Sequence, residues 1–131
     1  MASIKPRISV EYAENATIVT FTDEKILEEK DVQALQESIM SVIEQAPLSS
    51  VEDRKGGINL ILDFCNVRFL SSTVLGLLIR ISKKVYERDG QLKLCSINPK
   101  IYKIFKITRL TKIFDIYQDI ESAVESLSIA D

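Results

Sequence analysis

Three hydroxyl residues follow one another at Ser71, Ser72 and Thr73, directly before an apolar helical pattern that begins at Val74. An apolar strand pattern precedes them, so we expect them at a strand-to-helix junction. A helix start carries unpaired backbone N–H groups and a partial positive charge. One hydroxyl there is expected to cap the helix. A phosphate on a hydroxyl would be stabilised by the same amides and dipole, so a phosphorylation site stays open beside the simple cap.

The remaining residue types give little support for catalysis or for a metal site. The chain has no histidine, which removes the commonest general base near neutral pH. Its two cysteines, Cys65 and Cys95, lie in predicted strands, are expected to be buried free thiols and lack zinc-site spacing. No glycine-rich phosphate loop is visible. We therefore predict a binding module and not an enzyme, with no cofactor and no metal.

The charge balance bears on the class of partner. The chain has 17 basic and 19 acidic residues and a formal net charge of −2. The basic residues do not gather into an obvious patch along the sequence, so we predict neither a nucleic-acid nor a membrane partner. No apolar run is long enough to span a bilayer, and no signal-peptide pattern opens the chain. A cytoplasmic location is the default expectation.

Hydrophobic periodicity predicts the elements that must position the hydroxyl cluster. Apolar alternation and short apolar runs predict five strands, at residues 8–12, 17–22, 58–64, 91–97 and 113–117. Helical spacing predicts four helices, at residues 31–45, 74–86, from 98 onward and 119–127. This order favours an α/β fold with one mixed sheet of about five strands and about four helices. We expect a single domain over residues 1–131, with an ordered core at about 8–127 and a surface loop at 46–57.

Residues at the helix ends allow more local predictions. Asp31, Asn98 and Asp119 are each expected to cap a helix start. Gly90 is expected at the C′ position, where the helix that begins at Val74 stops. The buried stripe of the third helix is expected to contain Ile101, Ile104 and Phe105.

The hydroxyl cluster lies inside a longer pattern. Residues 69–79, with the sequence Phe-Leu-Ser-Ser-Thr-Val-Leu-Gly-Leu-Leu-Ile, resemble the signature of STAS domains, the anti-sigma factor antagonists. Residues 61–67, 89–94 and 110–117 are similar to three further elements of that family, in the same order. The resemblance covers roughly residues 8–127 and implies the STAS fold.

The resemblance also implies a regulatory cycle. In the family, an anti-sigma factor kinase phosphorylates the second hydroxyl of a pair, and a phosphatase removes the phosphate. The unmodified antagonist binds the kinase and frees the sigma factor. Carried onto this sequence, the acceptor falls on Thr73 and the adjacent hydroxyl on Ser72. The two acidic positions of the family fall on Ser71 and Glu28.

Two residues depart from the family pattern. Ser71 replaces an aspartate, and Val74 replaces a glycine at the place where a partner would approach the helix. Either Ser72 or Thr73 remains a possible acceptor. Leu77 is expected to add apolar surface beside the polar face of the helix and so to favour docking. The predicted partner-binding residues are Glu28, Ser71, Ser72, Thr73, Val74 and Leu77.

Two functions follow as alternatives. The first is an anti-sigma factor antagonist that binds a serine/threonine kinase-type anti-sigma factor and is switched by phosphorylation where the Val74 helix starts. The second is a non-phosphorylated scaffold component of a complex of several STAS domains, for which the altered Val74 position is the reason. A homo-oligomer is compatible with both.

Overall fold

Seven strands and four α-helices form the part of the chain that the computed structural model describes, residues 7–13, 16–45 and 58–128. In chain order the strands are β1 (Ile8–Tyr12), β2 (Thr17–Phe21), β3 (Lys25–Ile26), β4 (Asn59–Asp63), β5 (Phe69–Leu70), β6 (Gln91–Cys95) and β7 (Asp115–Tyr117). The helices are α1 (Glu29–Gln45), α2 (Ser72–Glu87), α3 (Pro99–Ile107) and α4 (Ile120–Ser128), with a 3-10 turn at Leu110–Lys112. The predicted α/β class is confirmed. The predicted loop at 46–57 lies outside the described residues.

A mixed sheet of five strands has the order β1-β2-β4-β6-β7. β1 is antiparallel to β2, whereas β2, β4, β6 and β7 are parallel neighbours. The carboxyl ends of these parallel strands therefore meet at one edge of the sheet. The chain leaves β4 and β6 at that edge and continues into α2 and α3, so the edge determines where the hydroxyl cluster lies.

The central strand β4 is covered on both faces, as its continuous apolar sequence predicts. Leu60 and Leu62 point into the larger core cluster, which includes buried residues of α1 and α2. Ile61 points the other way, into a smaller cluster that includes Ala123 and Leu127 of α4. Because neighbouring side chains of a strand alternate in direction, one apolar run joins both helical layers to the sheet.

Two of the three predicted helix caps are confirmed. The Asn98 side chain accepts a hydrogen bond from the Ile101 amide at 2.9 Å, and Asp119 accepts one from the Ser122 amide at 2.8 Å. The prediction for Asp31 is wrong, because α1 begins two residues earlier, at Glu29. Asp31 lies in the first turn, where its carboxylate is 3.0 Å from an Arg7 nitrogen. Polar side chains on both sides of the true start leave no sequence signal for the exact residue.

The predicted role of Gly90 is also wrong. Asp89 takes the left-handed conformation after α2, with φ of 57°, and Gly90 does not have a positive φ. A glycine is instead needed at position 90 because the backbone there passes very close to the backbone of Ile58, the residue directly before β4. A Cβ atom built on Gly90 would overlap the Ile58 carbonyl oxygen and lie 3.0 Å from its carbonyl carbon.

Basic residues are more concentrated than the sequence suggested. Five of them recur at every third position, at Lys100, Lys103, Lys106, Arg109 and Lys112, and all five are exposed. The expectation that basic residues do not gather is therefore wrong, because α3 and the turn after it place this spacing on one part of the surface. None of the helices in the described ranges is long and apolar enough to cross a membrane.

We predict that Gly90→Ala destabilises the fold by about 1–3 kcal/mol, because backbone atoms of Ile58 must move to admit the methyl group. Urea unfolding followed by circular dichroism measures the change. Gly76→Ala is the matched control, since its Cβ would meet only the flexible Arg80 side chain, at 3.7 Å. That change within α2 should stabilise by about 0.5–1 kcal/mol. Equal unfolding midpoints for Gly90→Ala and the unsubstituted chain would contradict the close approach.

Candidate functional site

Two short strands bring two helix starts together. β3 and β5 pair in parallel, with Lys25 opposite Phe69 and Ile26 opposite Leu70. The pairing continues past the strands, because the Ser71 amide donates to the Ile26 carbonyl at 3.0 Å. Each strand then runs directly into a helix, β3 into α1 and β5 into α2. Glu28 and the hydroxyl cluster therefore leave the same end of one small sheet, side by side.

The sequence does not predict β3 or β5. Strands of two residues are too short for an alternating pattern to stand out. The region between the β1–β2 hairpin and the first helix therefore gave no prediction, although the resemblance did place Glu28 at a family acidic position. The small sheet is the element that brings this position next to Ser72.

Hydrogen bonds fix the segment that joins β4 to β5. Asp63, 3% exposed, accepts a bond from the Cys65 amide at 3.0 Å. The Asn66 side chain donates to the Phe21 carbonyl at 3.0 Å. The Asn98 side chain, which also caps α3, donates to the Val67 carbonyl at 3.1 Å. Side chains at three positions thus tie this connection to neighbouring elements before the chain reaches Ser71.

The two thiols have different environments. Cys95 is buried in β6 as predicted, and burial raises the pKa of its thiol to about 12. The prediction that Cys65 is buried is wrong, because Cys65 follows the end of β4 and is exposed. Partial desolvation and the nearby Asp63 carboxylate nevertheless raise the pKa of the Cys65 thiol. Both thiols are therefore held towards the protonated, less nucleophilic form.

Ser71 has the backbone geometry of a helix cap but not the hydrogen bond of one. It precedes α2 with φ of −89° and ψ of 164°, but its side chain makes no cap hydrogen bond. The Ser71 hydroxyl oxygen is buried and has no hydrogen-bond partner among the described residues. The prediction that one hydroxyl caps α2 is therefore wrong. The helix start therefore has no side-chain cap bond from Ser71, although the Val74 amide donates to the Ser71 carbonyl at 3.0 Å.

The other two hydroxyls point to a different environment. Ser72 and Thr73 are both exposed in the first turn of α2. Exposed hydroxyls at an uncapped helix start are accessible to a modifying enzyme, and the local field would stabilise an added negative charge.

Two of the predicted partner-binding side chains are not on the surface. Val74 is 1% exposed and Leu77 is 0% exposed, and both belong to the larger core cluster. The prediction that Leu77 presents apolar surface is wrong, and the Val74 side chain cannot meet a partner directly. The reason is that α2 packs against both the sheet and α1, so its buried arc is wider than a single stripe.

Apolar surface does lie near the hydroxyls, on β5 of the small sheet and on the residue that follows β3. Phe69 is 46% exposed and Leu27 is 51% exposed. The Lys25 ammonium nitrogen lies 5.7 Å from the centre of the Phe69 ring. In the sequence, Phe69 is only the first residue of the segment 69–79 that resembles the STAS signature. Its exposure follows from β5 lying at the surface.

A groove between α1 and α2 extends from Thr73 to the guanidinium of Arg80. The groove has a volume of about 430 Å³. It is lined by Thr73 and Arg80 of α2 and by Glu29, Val32, Gln33, Gln36 and Glu37 of α1. The groove therefore runs along α2 from Thr73 to Arg80, between mostly polar side chains of the two helices.

Arg80 is held in this groove and points back along α2. Its Nε and Nη2 atoms donate to the Gln36 side-chain oxygen at 3.1 and 2.9 Å. Its Nη1 atom lies 3.7 Å from the position of a Cβ on Gly76, one turn after Thr73. Arg80 has no ion pair among the described residues. Its spacing of seven residues from Thr73, two helical turns, is the sequence signal that could have found it.

The described residues therefore offer a helix start without a side-chain cap and a guanidinium in the adjoining groove, which also contains Glu29 and Glu37. They contain no group of histidine, cysteine or acidic side chains arranged to hold a metal ion. The chemistry this arrangement supports is binding, and control of binding by charge.

Comparison with known families adds the decisive observation. The sequence model of the STAS domain matches residues 7–123. The chain belongs to the STAS domain family. The match includes both helix starts, the small sheet between them and the groove of this STAS domain.

Relatives of this STAS domain include anti-sigma factor antagonists. The anti-sigma F factor antagonist of Paenibacillus polymyxa is 25% identical over 71 residues, 54% of this chain and 61% of that protein. An anti-sigma-factor antagonist STAS protein from Planctomyces limnophilus has a TM-score of 0.75 at 19% identity, covering 92% of this chain and 97% of that one. The Bacillus cell fate determinant SpoIIAA, solved in its phosphorylated form, has a TM-score of 0.63 at 16% identity, covering 92% and 98%. At these identities the two structures show a shared fold.

We predict that Ser71→Ala leaves this STAS domain at least as stable as the unsubstituted chain. Replacing a capping serine normally costs about 1 kcal/mol, but the Ser71 hydroxyl makes no cap bond and its removal relieves a buried unpaired group. Asn98→Ala is the matched control, because its cap bond is present and its loss should cost about 1 kcal/mol. Thermal or urea unfolding compares the two variants. A loss at Ser71 equal to that at Asn98 would mean that Ser71 does cap α2.

Proposed function

We propose that this STAS domain is an anti-sigma factor antagonist that binds a kinase-type anti-sigma factor through the paired helix starts and is switched by phosphorylation of Thr73. The observation that carries the proposal is the exposed Ser72–Thr73 pair at an uncapped helix start inside the STAS signature. Under this proposal the domain is a regulator and not an enzyme, its partners are the kinase and a phosphatase, and it works in the cytoplasm.

The comparisons support the proposal at the level of the family. A curated relative is named an anti-sigma F factor antagonist, and a similar fold has been solved in a phosphorylated form. The chain spans about three fifths of the length of that curated relative, 61%. Partner and modification are carried over from these proteins as parts of the proposal.

Thr73 is favoured over Ser72 as the acceptor by its position as well as by the resemblance. Both side chains are exposed, but Thr73 lines the groove that contains Arg80. A phosphate on Thr73 would offer Arg80 a charged acceptor, which binds a guanidinium more strongly than the neutral amide oxygen of Gln36 does. Because Ser71 stands where the family has an aspartate, a phosphate on Thr73 would not be repelled by a carboxylate at position 71.

Phosphorylation would then change the docking surface directly. It adds about 1.5 to 2 negative charges beside Glu28 and Glu29, which lie at the start of α1. The exposed Phe69 and Leu27 side chains adjoin the same surface and give an unmodified domain apolar contacts for a partner. A partner that fits the neutral surface would meet both a bulky group and a concentrated negative charge after modification.

The scaffold alternative loses part of its motivation. Val74 in place of glycine was its reason, yet the Val74 side chain is buried and leaves the surface around Ser72 and Thr73 open. A scaffold in a complex of STAS domains, or a homo-oligomer, predicts self-association without modification. Light scattering at increasing concentration separates the two functions, since an antagonist of the proposed kind needs no self-association to bind its kinase.

We predict that incubation with ATP and the serine/threonine kinase-type anti-sigma factors of the source organism places one phosphate on Thr73. Mass spectrometry of peptides locates it. Thr73→Ala should abolish the modification, whereas Ser72→Ala should retain it, and both remove only an exposed hydroxyl. Absence of modification together with absence of a complex with any of these kinases would overturn the proposal, and modification of Ser72 alone would move the acceptor by one residue.

We further predict that Arg80 lowers the second pKa of a phosphate on Thr73. An exposed charge pair contributes roughly 0.2–1 kcal/mol, which corresponds to a shift of roughly 0.2–0.7 pH units. Phosphothreonine can be installed at position 73 during synthesis, and ³¹P NMR follows its titration. Arg80→Met should raise the titration midpoint by that amount.

Lys83→Met is the control for this titration. It removes a positive charge about 15 Å from Thr73 along the same helix, compared with about 10 Å for Arg80. Lys83 is not among the residues that line the groove, so its loss should change the midpoint much less. Equal shifts in the two variants would mean that only the net charge matters and that Arg80 does not reach the phosphate.

A further inference from the structure

The surface of α3 and the turn after it is strongly basic in an otherwise acidic molecule. Residues 96–114 contain five basic and no acidic side chains, leaving 12 basic against 19 acidic residues in the rest of the chain. None of these five cations forms an ion pair within the described residues, although five other ion pairs are present there. Their charge is therefore available to a partner.

Exposed isoleucines lie among these cations. Ile107 is 78% exposed, Ile113 is 53% exposed and Ile104 is 37% exposed. The prediction that Ile104 belongs to the buried stripe is wrong, because Ile101 and Phe105 fill the inward face of α3. Helical spacing places Ile104 and Ile107 with Lys100 and Lys103 on the outward face. We call the five cations with Ile104, Ile107 and Ile113 the α3 surface.

Buried contacts hold the α3 surface in place. Phe105 of α3 and Phe114 of the following turn pack edge to face, with ring centres 6.3 Å apart. Arg109 reverses the chain between them in the left-handed conformation, with φ of 63°. Asn98 caps the start of α3 and also bonds to the Val67 carbonyl. The isoleucines are thus presented by a packed structure and need no ordering when they bind.

We propose that the α3 surface binds the headgroup region of a membrane rich in anionic phospholipids. Its cations match the charge of the lipid phosphates and carboxylates, and its isoleucines enter the boundary between headgroups and acyl chains. This membrane contact is separate from Thr73 and goes beyond the proposed antagonist function. It would place a regulatory domain at the membrane surface.

The composition favours a lipid surface over other anionic partners. Four of the five cations are lysines, and protein interfaces are depleted in lysine. A nucleic-acid backbone would use the cations but would offer no apolar phase for Ile107. A bilayer surface uses both kinds of side chain, because its anionic headgroups attract the lysines and the boundary with the acyl chains accepts the isoleucines.

The experiment is co-sedimentation of the full chain with vesicles of phosphatidylglycerol and phosphatidylcholine, compared with vesicles of phosphatidylcholine alone. The proposal requires binding to the anionic vesicles only, and weaker binding as salt increases. Lys103→Glu with Lys106→Glu should weaken binding at least about tenfold, since each cation near such a surface contributes about fivefold. Ile107→Ser should also weaken binding, by roughly three- to tenfold, while every charge remains.

Lys83→Glu with Lys84→Glu is the matched control, because it makes the same charge change on α2. It should reduce binding much less than the α3 variant does. The proposal is overturned if anionic vesicles do not retain the chain, or if the two charge variants lose binding equally. It is also overturned if Ile107→Ser changes nothing while duplex DNA binds as well as the vesicles do. Kinase binding by the same variants, measured separately, distinguishes failure here from failure of the antagonist function.

Discussion

The parallel pairing of β3 with β5 is the contact on which the site depends. Each strand has only two residues, and the bond from the Ser71 amide to the Ile26 carbonyl extends their pairing to the first residue of the cluster. Without it, Glu28 and Ser72 would be ends of unrelated connections. With it, two helix starts, two positive dipole ends and a polar groove share one surface. The larger sheet supports this arrangement because the chain that leaves the carboxyl end of β4 continues into β5 of the small sheet.

The site favours an added negative charge, but it offers few groups that could catalyse a reaction. The first turn of α2 lacks a side-chain cap, and the buried Ser71 hydroxyl leaves its own hydrogen-bonding capacity unused. Arg80 is paired with the neutral Gln36 and not with a carboxylate. These are the properties expected of a switch, because an added phosphate would meet a helix start without a side-chain cap and a guanidinium that is held only by two hydrogen bonds to a neutral amide.

The sequence predicted the elements with strong periodicity and missed those whose character depends on tertiary contacts. The apolar run of β4, the caps at Asn98 and Asp119 and the helix that carries the hydroxyls all follow from local patterns. The burial of Leu77 depends on α1 packing against α2, and the two strands of the small sheet depend on each other. The α3 surface was missed for a related reason. Basic residues at every third position look scattered along the sequence, and they form one surface only when the chain folds into a helix.

The central claim is that the paired helix starts are the surface that meets the anti-sigma factor. Hydrogen–deuterium exchange of the full chain, with and without the kinase-type anti-sigma factor, tests this claim most directly because it reports every amide at once. The account predicts slower exchange in the complex at residues 26–29 and 69–76, and no slowing in α4 on the opposite face of the sheet. Protection confined to α4, with unchanged exchange at both helix starts, would contradict it.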